Sequence, residues 1–296
     1  MESMRDIRTR MTSVQKTMKI TNAMYLMASS KLKKAKSRLA NTAPYFNKMQ
    51  DTIADILYHS ESIENKFFVE ELPEPAKDDG KKRGYIVITS DKGLAGAYNH
   101  NVTKMTEAEL KKGGDNTLYF IGYAGKNYFR KKAELGHNDA EHNYAAVDPD
   151  IWRAYELAEF VINEYKKGNL DEVYVVYTKM RNALASDAEM LRILPLTKRM
   201  FNYKAVEGAK DFKATYMPSP DAVLAQIVPN YVKGLLYGAM VEAFASEQNA
   251  RMAAMDNATE NAKEIVKGLS LHYNRVRQAA ITTELNDIVG GANAQE

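Results

Sequence analysis

An apolar side chain recurs every three or four residues from the start of this chain to about residue 56. The mean spacing of about 3.5 residues persists for more than seven heptads, and this period keeps one apolar seam facing a partner helix. Ordinary globular helices are much shorter. The sequence therefore predicts a long helix that packs against another helix. The seam positions are Met4, Ile7, Met11, Val14, Met18, Thr21, Tyr25, Ala28, Leu32, Ala35, Leu39, Thr42, Phe46, Met49, Ile53 and Ile56.

The same spacing returns near the other end of the chain, in a segment that should be helical from about Asp221 to about Val289. Because a separate domain lies between the two segments, we expect them to pair antiparallel. Gly290 and Gly291 should end the second helix. The second seam comprises Ala258, Ala262, Ile265, Leu269, His272, Val276, Ala279 and Thr283. The histidine of this seam should accordingly be packed.

Between the two helices the pattern changes to short apolar runs that alternate with helical segments. This alternation predicts βαβ units and a largely parallel sheet with helices on both faces. The fold class is therefore α/β, with an inserted doubly wound, Rossmann-like domain between two helices that form a long antiparallel coiled coil. The expected segments are 1–60 for the first helix, 84–205 for the inserted domain and 219–290 for the second helix. The expected strands lie at 85–89, 117–122, 144–147, 172–178 and 190–195.

Composition excludes several classes of protein. Cysteine is absent from the 296 residues, so neither a disulfide framework nor a thiolate metal site is possible. No apolar run approaches the roughly 20 residues that a membrane-spanning helix needs. The net charge of +3 is unevenly distributed, because residues 1–40 contain ten lysines and arginines but only Glu2 and Asp6 as acids. Such a basic helix face is compatible with solvation, with an acidic protein partner or with nucleic acid.

We find no catalytic pattern, no cofactor motif and no metal-ligand spacing in the sequence. The stretch Thr89–Asn99 follows an expected strand, but it matches neither the dinucleotide fingerprint nor a phosphate-binding P-loop. We interpret it as a tight turn in which Gly93 and Gly96 allow close packing. His137 and His142 are five residues apart in an expected polar loop, which favours solvated side chains over metal ligands.

The end of the second helix carries an uncharged stretch, QAAITT at 278–283. Arg275 and Arg277 precede this stretch, and Glu284 and Asp287 follow it. The pattern favours a helix end that is enclosed by an apolar collar, with polar contacts beside it. The alternative is an ordinary amphipathic helix end that packs on the chain's own domain.

Three stretches carry long motifs: MRDIRTRMTSVQKTMKITNAMYLMASSKLKKAK, ITSDKGLAGAYN and SEQNARMAAMDNATENAKEIVKGLSLHYNRVRQAAITTELNDIVGGA. In order and spacing they resemble the gamma subunit of rotary F-type ATP synthases, and they cover both long helices and the first turn of the middle domain. The resemblance implies a coiled coil inside a ring of alternating alpha and beta subunits, with the inserted domain below the ring. It also implies a rotor without catalytic, cofactor or metal residues, because the nucleotide sites belong to the alpha and beta subunits.

The resemblance also implies contact residues at both ends of this rotor. Met24 would face an acidic helical segment of a beta subunit. Tyr216 and Met217 would contact the foot partners, which are the epsilon subunit and the membrane ring of c subunits. Members of the family often carry an acid at the position of Met217. The other residues that would meet the alpha and beta ring are Arg251, Arg277, Gln278, Thr282 and Glu284.

With these partners the chain would be a peripheral protein at the cytoplasmic face of a bacterial plasma membrane, attached only through the complex. The coupling ion would be a proton or a sodium ion. Chloroplast members carry a regulatory cysteine pair, which this chain lacks. The alternative function is a basic coiled-coil protein that binds nucleic acid. That class would show arginines interleaved with aromatic residues, but the basic helix has few aromatics.

Overall fold

The computed structural model describes residues 3–60, 65–70, 79–182, 185–201 and 215–293. The chain divides into two compact units. Residues 1–29 and 251–296 form the helix-pair unit, and residues 30–250 form the sheet unit. The division therefore falls inside both long helices, whereas the segments expected from the sequence follow the ends of these helices. Residues 183–184 and 202–205 of the expected 84–205 segment lie outside the described residues.

Two long helices enclose the α/β elements in chain order. The elements are α1 (Met4–His59), β1 (Phe68–Val69), β2 (Lys82–Ile88), α2 (Tyr98–Leu110), β3 (Asp115–Ile121), α3 (Tyr123–Phe129), β4 (His137–Tyr144), α4 (Ile151–Lys167), β5 (Glu172–Met180), β6 (Ser186–Leu194), β7 (Leu196–Thr197) and α5 (Pro220–Asn293). Two short 3₁₀ turns lie at Ala133–Leu135 and Lys198–Met200. With 56 and 74 residues, α1 and α5 far exceed the usual length of a globular helix.

α1 begins with a capping box. The Ser3 amide donates to the Asp6 carboxylate at 3.4 Å, and the Asp6 amide donates to the Ser3 hydroxyl at 3.2 Å. These bonds satisfy groups that the first turn of a helix leaves unpaired. The seam expected from the sequence is the most buried side of α1. Its buried members are Ile7, Thr21, Ala28, Leu32, Ala35, Ile53 and Ile56.

In the helix-pair unit α1 and α5 run antiparallel. The hydroxyl oxygens of Thr21 and Thr259 lie 2.8 Å apart. Gln15 and Met18, which precede Thr21, share a cleft with residues between 263 and 271, which follow Thr259. The direction of the pair is the one expected from the sequence.

On α5, two of the expected seam residues are exposed, and the residue that follows each of them is half-buried instead. Ile265 is 47% exposed and His272 is exposed, whereas Val266 and Tyr273 are half-buried. The expectation that His272 is packed is therefore wrong. A spacing of three and four residues does not fix which of two adjacent positions faces the partner, because both lie within the same apolar arc.

In the sheet unit the two long helices also run antiparallel. The hydroxyl of Tyr216, just before α5, donates to the carboxylate of Asp55, near the end of α1. Earlier on α1, Phe46 packs against Gly234 on α5. An ideal Cβ placed on Gly234 would lie 1.7 Å from Cε1 of the Phe46 ring, so the ring occupies the volume of the missing side chain. Only glycine allows the ring to approach this closely.

Five strands form the main sheet in the order β4-β3-β2-β5-β6. The first four strands are parallel, and β6 adds antiparallel to β5 at one edge. The chain proceeds outward from β2 in one direction and then crosses to β5 on the other side. Such a reversal of strand order defines the doubly wound fold. A separate parallel pair joins β1 to β7.

The sheet is covered on both faces. One face packs Tyr85, Leu118 and Phe120 against Val102 of α2 and Phe129 of α3 in a single buried cluster. On the other face, Tyr119 makes an edge-to-face contact with Phe160 of α4, at 5.9 Å between ring centroids. The alternation of inward and outward side chains along β3 therefore supplies both cores.

The third strand was expected at 144–147, but β4 covers His137–Tyr144. This expectation is wrong because β4 is an edge strand with half-exposed polar residues and has no apolar run. His137 and His142 consequently lie on a strand and not in a loop. The His142 ring stacks on Phe160 at 3.7 Å and its Nδ1 lies 3.1 Å from Asp139. Gly290 and Gly291 do not end α5, which continues to Asn293.

A buried ion network closes the amino edge of β2 and β5. Nε of Arg83 donates to Glu172 at 2.9 Å and Nζ of Lys81 donates to the same carboxylate at 2.7 Å, while Asp79 pairs with Arg83 at 2.5 Å. Burial raises the pKa of Glu172, but the hydrogen bonds from Lys81, Arg83 and Tyr174 outweigh this effect and hold the pKa below its usual value. Glu172 is therefore ionised and paired with Arg83 in the native structure of this edge.

Candidate partner-binding surfaces

The carboxyl edge of the parallel strands is the usual nucleotide site of a doubly wound sheet. In this chain the carboxylate of Asp91 already accepts hydrogen bonds from the backbone amides at this edge. The Asp91 carboxylate accepts hydrogen bonds from the amides of Tyr123, Ala146 and Val147 at 3.2, 3.0 and 3.0 Å. A phosphate would need amides of this kind. The turn after β2 is therefore built around an internal carboxylate.

Helix α5 fills the space behind this turn. Met240 and Phe244 lie against Ile88 and Ile121 at the ends of β2 and β3, and the cavity between them has a volume of only about 10 Å³. A cavity of this size is too small for anything larger than a single water molecule. The edge of the sheet is thus used for packing between the inserted domain and the last helix.

The glycines of the Thr89–Asn99 turn do not have the role expected from the sequence. No atom lies within 4 Å of a Cβ added to Gly93 or Gly96, so neither glycine serves close packing. Gly96 instead has a φ of +56°, which favours glycine. In the described ranges no cluster of three or more histidines, aspartates or glutamates is arranged to hold a metal ion.

The predicted ring-contact residues fall into two environments of the helix-pair unit. Met24 and Arg251 are half-buried on α1 and α5. Arg277, Gln278 and Thr282 are exposed, and so is Glu284. The Thr282 hydroxyl donates to the carbonyl of Gln278 at 2.9 Å, one turn earlier on the same helix. Every residue from Arg277 to Val289 is exposed, so this end of α5 presents its whole circumference.

Several large apolar side chains of the helix-pair unit are exposed. Ile20 and Leu26 of α1 are each 60% exposed. Ile281, Leu285 and Ile288 form a second apolar row at intervals of four and three residues, on the exposed end of α5. Sequence reasoning missed this second row because it concentrated on the uncharged stretch at 278–283. The spacing of these residues is the signal that could have shown it.

The two predicted foot residues differ in what they can do. The Tyr216 hydroxyl is already bonded to Asp55 within the sheet unit, whereas the Met217 side chain is 82% exposed. Tyr216 therefore anchors the chain to α1, and Met217 is available for a partner.

A lysine run lies on α1 in the sheet unit. Lys31, Lys33, Lys34 and Lys36 are all exposed, and none of them forms an ion pair within the described part of the chain. Arg38 follows one turn after Lys34 and is paired with Asp148, which raises the pKa of Arg38 through their hydrogen bond. The free lysines give α1 a positive surface that suits an acidic partner.

Comparison with known proteins gives a family match over nearly the whole chain. A family model described as ATP synthase matches residues 3–295. An ATP synthase gamma chain from Ruminiclostridium cellulolyticum is 46% identical over 297 residues, which cover 99% of each chain. A sodium ion specific ATP synthase gamma chain from Acetobacterium woodii is 39% identical over 307 residues, again with 99% of each chain covered.

Solved structures give the same fold. A chain from the Euglena gracilis mitochondrial ATP synthase, in a structure of OSCP, F1 and c-ring, aligns with a TM-score of 0.68 and 16% identity. The alignment covers 99% of this chain and 94% of that chain. A chain from the central stalk and c-ring of the Tetrahymena thermophila enzyme aligns with a TM-score of 0.55 over 81% of this chain. At these identities the likeness concerns the fold alone.

Proposed function

Because the chain belongs to the ATP synthase gamma chain family, we propose that it is the central-stalk rotor of an F-type ATP synthase. In this role it couples ion-driven rotation of a membrane ring of c subunits to conformational cycling of an alpha and beta ring. The chain contributes no catalytic group of its own. ATP is made or hydrolysed in the ring, and this chain transmits torque.

The end of α5 is the structural observation that carries this proposal. From Arg277 to Val289 it is a helix with every side chain exposed, and it presents the apolar row Ile281, Leu285 and Ile288. A single exposed helix with apolar residues is unstable in water unless another surface covers it. An enclosing ring of other subunits supplies this cover without a fixed bond, as a rotating shaft requires.

Coupling follows from the asymmetry of the helix pair. Two helices of unequal length offer a different surface to each ring subunit. A ring subunit changes its preference between open and closed states only if its contacts with the shaft differ between those states. The lysine run on α1 provides an attraction to acidic segments that depends on orientation. Each exposed ion pair contributes only about 0–1 kcal/mol. These contacts therefore favour some orientations of the shaft without preventing its rotation.

We propose Met24, Arg251, Arg277, Gln278, Thr282 and Glu284 as contacts with the alpha and beta subunits. Their half-buried or exposed side chains leave these groups accessible to other subunits. At the foot we propose that Met217 contacts the c-ring or the epsilon subunit, while Tyr216 keeps the start of α5 attached to Asp55. The complex would then hold the chain at the cytoplasmic face of a bacterial plasma membrane. Among the described helices, none is both long enough and apolar enough to span a membrane.

Single-molecule rotation tests this function directly. Because the sequence contains no cysteine, Lys111→Cys creates a unique attachment site at the exposed end of α2. The variant is assembled with purified alpha and beta subunits, the ring is fixed to glass, and a bead is attached to the cysteine. We expect unidirectional rotation on addition of ATP, and no labelling of the cysteine-free parent chain. Failure to form a ring complex, or a bead that does not rotate during ATP hydrolysis, would refute the proposal.

The nucleic-acid alternative has a simple discriminating measurement. It requires affinity for DNA or RNA that falls steeply with salt, because binding releases condensed counterions. The gamma-chain proposal expects assembly with alpha and beta subunits to be unaffected by competing DNA at physiological ionic strength. The family match over nearly the whole chain favours the rotor.

A further inference from the structure

Two threonine hydroxyls join the long helices inside the helix-pair unit. Thr21 of α1 is 9% exposed, and its hydroxyl oxygen lies 2.8 Å from the hydroxyl oxygen of Thr259 on α5. Each hydroxyl also lies near a carbonyl of its own helix, at 3.1 Å from Met18 for Thr21 and at 2.8 Å from Met255 for Thr259. Whichever hydroxyl donates to the other, the second one donates to its carbonyl, so both protons are used. These two residues form the threonine pair.

The threonine pair lies in the seam along which α1 and α5 pack. Residues at equal distances from Thr21 and Thr259, in opposite directions along the chain, lie beside each other, because the helices are antiparallel and rise equally per residue. This rule groups the buried and half-buried residues into seven layers, spaced three and four residues apart on both helices. The layers are Ile7 with Tyr273, Met11 with Leu269, Val14 with Val266, Met18 with Ala262, Thr21 with Thr259, Tyr25 with Met255, and Ala28 with Met252.

The threonine layer differs chemically from its neighbours. Among these seven layers, all of which lie in the described residues, it alone places a hydroxyl on both helices. Four of the other six layers contain a methionine, whose flexible side chain fills gaps of varied shape. Apolar contact also has no preferred direction. These layers therefore hold the helices together but specify their register only weakly.

The hydrogen bond between the threonines does depend on the register. An O–H···O bond is at most about 3.0 Å long. If one helix slid by about 3 Å along the other, the two oxygens would move from 2.8 Å to about 4 Å apart, whereas the methionine layers would adapt. A polar contact in a coiled-coil seam fixes the register in this way at some cost in stability.

Threonines on the exposed side of α1 show what the pair adds. The hydroxyls of Thr9 and Thr12 each donate to the carbonyl four residues earlier, at 2.9 Å. Bonds of this kind are ordinary within helices and link no second element. The bond between Thr21 and Thr259 is therefore a feature of helix packing and not of helix formation.

We propose that the threonine pair is a positioning contact that fixes the register of α1 against α5 and, through the register, the torsional stiffness of the helix pair. The 3.5-residue period of both seams implies a left-handed supercoil. Twisting two supercoiled helices makes them slide past each other, so a contact that resists sliding also resists twisting. The stiffness part rests on the proposed rotor function, in which the helix pair transmits torque. The register part concerns the chain by itself.

Distances between spin labels measure the register. Because the chain has no cysteine, Thr9→Cys and Asn257→Cys provide two exposed label sites, which lie roughly 20 Å apart along the helix pair. Double electron–electron resonance on the full chain should give one narrow distance distribution. Thr21→Val combined with Thr259→Val should widen this distribution roughly twofold, because the seam loses its polar contact. The Tm should be unchanged or higher, since replacing both partners of a hydrogen bond by apolar groups of the same shape is nearly neutral. Thr21→Ser combined with Thr259→Ser keeps both hydroxyls and should keep the distribution narrow.

Leu269→Ala is the matched control. It removes a half-buried apolar side chain from another layer and leaves the threonine pair intact. The control should lower the Tm but keep the distance distribution narrow. A valine double variant with a distribution as narrow as that of the parent would overturn the proposal. Equal widening in Leu269→Ala would also overturn it, because any loosening of the seam would then release the register.

Bead fluctuations in the assembled complex measure the stiffness. With the bead attached through Lys111→Cys, the angular variance while the ring waits for ATP should be roughly 1.5-fold larger for the valine double variant than for the parent. The serine double variant should match the parent. An unchanged variance in the valine variant would overturn the link between register and stiffness and leave the rotor function intact. If the parent does not assemble with alpha and beta subunits, the rotor proposal falls, whereas the spin-label distances still decide whether the pair fixes the register.

Discussion

Gly234 provides the sharpest test of how the two long helices pack in the sheet unit. An added Cβ would lie 1.7, 2.2 and 2.6 Å from three atoms of the Phe46 ring. The ring would have to move by about 1.7 Å to reach the 3.4 Å at which ordinary contact begins. Overpacking of this kind typically costs 1–3 kcal/mol, and a displacement of this size favours about 3 kcal/mol.

Helix propensity acts in the opposite direction. Replacing glycine by alanine in a helix interior stabilises it by about 1 kcal/mol. Gly234→Ala should therefore lower the free energy of unfolding by about 2 kcal/mol in total. Gly238→Ala, one turn further along α5, is the matched control, because no atom lies within 4 Å of its added Cβ. That variant should gain about 1 kcal/mol.

Thermal unfolding followed by circular dichroism measures the difference. Because 1 kcal/mol corresponds to about 2–4 °C for a unit of this size, the two variants should differ in Tm by roughly 6–12 °C. Phe46→Leu should recover part of the loss in the Gly234→Ala background, since a smaller side chain leaves room for the methyl group. A Gly234→Ala variant as stable as Gly238→Ala would refute the packing of Phe46 on Gly234.

Three further perturbations have defined outcomes. Glu172→Gln should cost about 2 kcal/mol, because the buried Arg83 loses one of its two carboxylate partners and keeps only Asp79. The lowered pKa of Glu172 stabilises the wild type above the unfolded-state pKa, and this stabilisation disappears as the pH falls through the lower folded pKa; urea titration from pH 7 to 3 should show a flatter profile for the variant. Met24→Lys should lower the number of ions pumped per ATP in vesicles, because the new cation would pair with the acidic beta-subunit segment that we propose faces this position, while Met24→Leu should not. Deletion of 285–296 should reduce torque but leave the melt of the isolated chain unchanged, because the described side chains from 285 to 289 are exposed.

Each of these expectations can fail separately. A pH profile of Glu172→Gln that parallels the wild type would mean that the carboxylate contributes nothing to the acid sensitivity. Pumping per ATP that is equal for Met24→Lys and the wild type would remove Met24 from the coupling contacts. A lower melting temperature of the truncated chain in isolation would show that the last residues support the fold.

The sequence predicted the long helices well because their periodicity is local. Alternating spacings of three and four along α1 require one buried side, and Ile7, Ala28, Leu32 and Ile53 are buried accordingly. The apolar runs in β2, β3 and β5 likewise predicted a covered parallel sheet. The motifs at both ends led to the correct family, which no argument from periodicity could have reached.

Two features escaped sequence reasoning because they depend on neighbours distant in the chain. β4 is an edge strand with polar residues, and it has no apolar run that would reveal it in the sequence. Its pairing with β3, and not the burial of its own side chains, holds it in the sheet. The position that faces α1 on the last helix shifts from Ile265 and His272 to Val266 and Tyr273, because packing against a real partner decides between adjacent positions.

For the candidate surfaces, too, some features follow from local sequence and others depend on contacts between distant segments. By itself the sequence determined that this chain has two long helices with an α/β domain between them in the sequence, since the period of apolar residues is a property of each segment. Only the tertiary structure decided which side chains remain exposed and which carboxylates are already hydrogen-bonded within the fold. Asp91 is an example, because its carboxylate accepts hydrogen bonds from the amides of Tyr123 and Ala146. Exposure and hydrogen bonding are relations between segments, and the folded chain alone brings those segments together.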